Sequence, residues 1–138
     1  MNSQKTIRIS SIVFIVFSLL SLLYVSLLSL YNPRATMALV QVTLDNNDAI
    51  SSIRGIYGGV GMAVVFSLIY LLRTNVSLAL SFLLLFWGMY ALSRVMTMMI
   101  DGPLGDFGNQ WLVIEGALFA IGSMIKIMEQ KQVQSVSA

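Results

Sequence analysis

The chain contains neither cysteine nor histidine. Without thiols there are no disulfides, thiolate metal sites or iron–sulfur ligands, and without imidazole there is no histidine-ligated haem. The same two absences exclude a Ser-His or Cys-His nucleophile pair. Charge is scarce as well. Asp, Glu, Lys and Arg make up 10% of the 138 residues, where a soluble domain carries about a quarter. The net charge of +2 sits mostly at the ends of apolar runs, and no run of Lys or Arg is long enough for nucleic acid.

What remains is apolar: 57% of the residues are hydrophobic. Such a chain cannot cover a water-facing surface, and its natural solvent is a bilayer. Its length suits one domain. A spanning helix needs roughly 20 mostly apolar residues. The first such run is 9–31, which is too long for a signal-peptide core and lacks a small-x-small cleavage site after it, so it reads as a retained helix. Ser11, Ser18 and Ser29 fall on one stripe of it, a small-residue packing face. Asn32-Pro33 stops this helix or starts a short interfacial one over 34–42. Asp45, Asn46, Asn47 and Asp48 are turn and N-cap residues, with Asp45 and Asp48 read as caps. The second span then covers about 49–72, the third 76–100 and the fourth 110–127, with a polar tail over 128–138. There is no internal repeat and no low-complexity segment.

Four spans bring both termini to one side. Lys5, Arg8, Arg73, Lys126 and Lys131 lie on that side against Glu129, and Asp45, Asp48, Asp101 and Asp106 lie on the other against Arg34. The positive-inside rule places both termini in the cytoplasm. The expectation is an all-α four-helix bundle, up-down-up-down with short loops, in the cytoplasmic (inner) membrane.

Three charges fall inside these spans. Arg54 lies about 9 Å from the outer end of the second helix, Arg94 about 10 Å from that of the third, and Glu115 at a similar depth in the fourth. An Arg at a span centre costs roughly 2.5–3.5 kcal/mol on insertion scales. Pointing all three inward, with Asp101 added, makes a shared cluster of two positive and two negative groups. Helical phase puts Arg54, Gly58, Gly61 and Val65 on one side of the second span, with Tyr57 beside them. Trp87, Tyr90, Arg94, Thr97 and Asp101 share a side of the third, and Trp111, Glu115, Phe119 and Gly122 a side of the fourth. Gly55 and Gly59 form a GxxxG on an adjoining face, where another helix would close the wall. Tyr57 and Tyr90 donate and accept hydrogen bonds around the charges.

Two readings fit this constellation. One is a brace that holds helices in register with no ligand. The other is an outward-facing polar pocket, with Gly58 and Gly61 leaving room around Arg54. Trp87 and Trp111 also suit interfacial anchors. The methionines of "RVMTMMI" read as apolar filler rather than a copper site, and "DGP" reads as a turn before it reads as a cation site.

"RGIYGG" in the second span, "SR" late in the third, "DGP" after it and one early glutamate in the fourth resemble the bacterial 4345 domain-of-unknown-function family. That family comprises small four-helix membrane proteins and is distantly similar to DoxX-like proteins, some of them linked to quinone-coupled sulfur oxidation. The resemblance runs from the first span to Lys126. It implies Arg54, Tyr57, Gly58, Gly59, Arg94, Asp101, Gly102 and Glu115 as marked positions.

The leading expectation is a binding protein or accessory subunit whose pocket holds a lipid head group, a quinone or a small anion, with no metal or cofactor. Its residues would be Arg54, Tyr57, Gly58, Tyr90, Arg94, Asp101 and Glu115, with Gly55, Gly59 and Gly61 packing helices. The alternatives are a structural subunit of a homo-oligomer or larger complex, and a membrane enzyme using Glu115 or Asp101 as acid or base. A transporter would need a dimer of these four-span chains.

Overall fold

A computed structural model of the chain describes residues 2–137. It is all-α: α1 (Asn2–Tyr31), α2 (Pro33–Ala38), α3 (Asn47–Ile53), a π-helical segment Arg54–Val60, α4 (Gly61–Thr74), α5 (Val76–Ile100) and α6 (Asp106–Ser137). No strand occurs among the described residues. Four stretches are long and apolar enough to cross a membrane: Gln4–Tyr31, Asn47–Thr74, Val76–Ile100 and Asp106–Gln134. The chain is therefore a multi-pass membrane protein. α3, the π-helical segment and α4 together form the second span. Large apolar side chains such as Phe66 and Leu85 are exposed, as lipid-facing residues are when no water has to be met.

Local chemistry explains the boundaries. Asn32 caps α2, its side chain accepting from the Ala35 N–H at 3.1 Å, and Pro33 fills the first helical position, where no N–H is needed. The short helix ends at Ala38, several residues before the expected end at 42, because Gln41 turns the chain with φ 58°. The cap of the second span is Asn46, which accepts from Ala49 N–H at 2.8 Å, and not Asp45 or Asp48. Asn75 caps α5 in the same way through Leu78 N–H at 3.0 Å. α6 begins one turn earlier than expected and continues through the polar stretch read as a tail. That stretch has no helix breaker to stop it, and Ala138 lies outside the described residues.

The fold divides into two compact units, Met1–Ile15 with Thr74–Ala138, and Val16–Arg73. In the first, α5 and α6 run antiparallel. Ser77 meets Lys126, Gly88 faces Phe119 and Arg94 meets Glu115, so partner numbers fall as the chain rises. Gly122 is covered by Leu84 and by Phe14 of α1. Ala79, Leu80, Leu83 and Trp87 are buried there. In the second unit, the latter half of α1 packs antiparallel to the second span. A Cβ on Gly58 would lie 2.7 Å from the Leu30 side chain, and one on Gly61 would collide with the Ser26 hydroxyl. Ser11, Ser18, Ser26 and Ser29 are all buried. Three of these hydroxyls, on Ser11, Ser26 and Ser29, bond carbonyls one turn back at 2.7–3.0 Å, so small polar residues line the packed face without an unsatisfied group.

Candidate functional site

Arg94 and Glu115 form a two-pronged ion pair between α5 and α6. Arg94 Nε donates to one Glu115 oxygen at 2.7 Å and a terminal nitrogen donates to the other at 2.8 Å. The fork of the guanidinium matches the carboxylate, which makes this the strongest kind of protein ion pair. Glu115 is only 2% exposed, while the Arg94 side chain keeps 21%. The carboxylate is thus enclosed, and the arginine keeps an edge toward the surroundings. Phe86, Trp87 and Tyr90 gather on the same helix, with ring centroids 4.9–6.4 Å apart. Tyr90 itself is 40% exposed. Asp101, expected in the cluster, ends α5 through its N–H to the Thr97 carbonyl at 2.8 Å. Asp101 is exposed and makes no ion pair with any described residue, and the chain turns at Gly102 with φ 107° directly afterwards.

Arg54 has a different setting, within the second unit. Its Nε donates to the Leu30 carbonyl at 2.9 Å. α1 ends at Tyr31, so the Leu30 carbonyl lacks the N–H that a continuing helix would supply. Arg54 therefore caps the C-terminus of α1, where a cation also suits the helix dipole. One of its five donors is used, and no carboxylate among the described residues pairs with it. Arg54 is exposed, which departs from the enclosed position expected for it. Arg54 nevertheless keeps to the side expected of it, since it reaches Leu30, Gly58 packs against Leu30, Gly61 packs against Ser26 and Val65 is buried.

The glycines of the π-helical segment also differ from expectation. Gly58 leaves no room around Arg54, since Leu30 fills that space. Gly55 and Gly59, expected against a closing helix, have nothing within 4 Å that an added Cβ would meet. Within this chain Gly58 and Gly61 are the close-packing pair. Tyr57 is 37% exposed beside them.

Two polar groupings were invisible in the sequence. Lys126 Nζ donates to the Ser77 carbonyl (3.1 Å), the Ser77 hydroxyl (2.5 Å) and a Glu129 oxygen (2.9 Å), and Ser77 Oγ donates to the same Glu129 oxygen at 3.0 Å. The ammonium has all three protons engaged, so the amine cannot take the hydroxyl proton, and the grouping ties α5 to α6 rather than activating a nucleophile. No spacing signal links residues 49 positions apart. The other grouping lies in the α2–α3 connection, where Arg34, Gln41 and Asp45 border an open hollow of about 490 Å³.

No curated protein and no solved structure matches this chain. A family profile described as "Domain of unknown function (DUF4345)" matches residues 11–124, from the buried serine stripe of α1 past Glu115, and the chain belongs to that family.

Proposed function

We propose that this protein is a small membrane binding protein that holds an anionic phospholipid head group at Arg54. The observation that carries this reading is the contrast between the two intramembrane arginines. Glu115 neutralises Arg94, whereas Arg54 has one N–H on a carbonyl and no counter-ion among the described residues. The second span of 28 residues is about 42 Å long, against a hydrocarbon core of about 30 Å. The Arg54 backbone lies about 10 Å from its midpoint, roughly 5 Å inside the apolar boundary, a depth from which the long side chain snorkels toward the phosphates. Its terminal nitrogens offer the fork that suits a phosphate. Tyr57, exposed one turn on, adds a hydroxyl.

The test is native mass spectrometry from mild detergent with added phosphatidylglycerol or phosphatidylcholine. Wild type should retain phosphatidylglycerol preferentially. Arg54→Gln should lose that preference, and because glutamine can still donate to the Leu30 carbonyl, the fold should survive. Equal retention of phosphatidylglycerol by Arg54→Gln overturns the reading.

A second reading, a subunit that docks another membrane helix, is favoured by the bare Gly55 and Gly59 face. A stoichiometric second chain in the same spectra, lost on Gly55→Leu, would support it. An acid–base role for Glu115 is the weakest reading, because Arg94 occupies both of its oxygens.

A further inference from the structure

The hollow in the α2–α3 connection carries charges of both signs that nothing else in the described chain uses. It is lined by the apolar residues Ala38, Val42 and Leu44, of which Leu44 is buried, and by the exposed polar residues Arg34, Gln41, Thr43 and Asp45. The hollow is open, with a volume of about 490 Å³, so it suits a small head group that stays partly in water. Neither Arg34 nor Asp45 makes an ion pair with any described residue, although both border the same space.

Gln41 is the second observation. Gln41 N–H bonds the Ala38 carbonyl and Val42 N–H bonds the Met37 carbonyl, both at 3.1 Å. This is the helix-ending turn whose left-handed position is normally glycine. Here that position is Gln41 with φ 58°, the only non-glycine with positive φ among the described residues. Glycine would fit the turn with less strain. What glutamine adds is an amide in the lining of the hollow, and backbone strain that is kept rather than relieved points to use.

The connection directly follows the end of the first span, so the hollow lies at the membrane surface away from the termini. We propose that it binds a zwitterionic group, an anionic phosphate and a primary ammonium a few atoms apart, as in phosphoethanolamine. Arg34 takes the phosphate as a charge-assisted fork, Asp45 accepts from the ammonium, and Gln41 and Thr43 serve the remaining polar atoms. The apolar part of the lining, Leu44 and Val42, takes the carbon linker and, for a lipid, the glycerol end. This site is independent of Arg54, which has no acidic partner and so suits an anion instead.

The experiment compares phosphatidylethanolamine with phosphatidylcholine by native mass spectrometry, and free phosphoethanolamine by calorimetry. The quaternary ammonium of choline has no N–H for Asp45. Wild type should retain phosphatidylethanolamine over phosphatidylcholine, and Arg34→Gln and Asp45→Asn should each cut that retention about tenfold. Gln41→Gly should raise the melting temperature while weakening retention, whereas a purely structural turn would be stabilised with retention unchanged. Binding of free phosphoethanolamine, lost in the same variants, supports the site with a soluble ligand as its source. Retention of the lipid alone supports it with the membrane as source. Equal retention of the two lipids by wild type, or undiminished retention in both charge variants, overturns the proposal. Loss on Arg54→Gln but not on Arg34→Gln also overturns it, and moves the head group to the Arg54 site.

Discussion

At the residue scale, the Arg94–Glu115 pair makes the sharpest demand on the sequence. A carboxylate that is 2% exposed has little water to fall back on if its partner goes. Removing one partner of a buried pair costs about 3–5 kcal/mol in soluble cores, while polar contacts between membrane helices are worth only about 1–2 kcal/mol because other groups substitute. Glu115→Gln should therefore lower stability in detergent by about 1–4 kcal/mol, read from thermal unfolding. Arg94→Lys should recover only part of the wild-type value, since a point charge cannot make both prongs. Unchanged melting in both variants would remove the pair from the account of stability. Depth in the spans alone pointed to these two residues. Arg54 was selected by the same argument, but its partner, a helix-end carbonyl, has no signature in the sequence.

The element scale is decided along the π-helical segment and its glycines. Helical phase separates Gly58 and Gly61 from Gly55 and Gly59, but it does not say which of the two faces meets a neighbour. In the structure Gly58 sits against Leu30 and Gly61 against Ser26, while Gly55 and Gly59 face open space. The four alanine variants should separate accordingly. Gly58→Ala and Gly61→Ala force α1 to move and should cost about 1–3 kcal/mol. Gly55→Ala and Gly59→Ala reduce backbone entropy without a clash and should be neutral or stabilising by up to about 1 kcal/mol. A loss at Gly55 or Gly59 as large as at Gly58, measured on the same detergent-solubilised protein, would mean that another chain occupies that face.

At the scale of the whole molecule, orientation is the open quantity with the most direct test. The distribution of Lys and Arg predicts cytoplasmic termini. The chain has no native cysteine, so single cysteines can be introduced on a silent background. On intact cells an impermeant thiol reagent should label Asn47→Cys and Asp106→Cys but not Gln4→Cys. The reverse pattern would invert the topology, and with it the leaflet facing Arg54 and the α2–α3 hollow.

Composition and periodicity alone determined the class and the four spans. Lipid imposes one requirement along the whole length of a span, and some 20 apolar residues meet it locally. The third span shows this best, observed over Val76–Ile100 as expected. Caps were legible to within a residue or two, because asparagine beside a helix start acts on its own backbone. What depended on tertiary structure was every contact between distant segments. Leu30 fills the space beside Gly58, Lys126 reaches Ser77, and Arg54 caps a helix more than twenty residues away. These pairings follow from how helices are staggered, which leaves no local pattern in the chain. The left-handed turn at Gln41 is hidden for a related reason: that backbone position normally calls for glycine, so only the folded chain reveals a glutamine there.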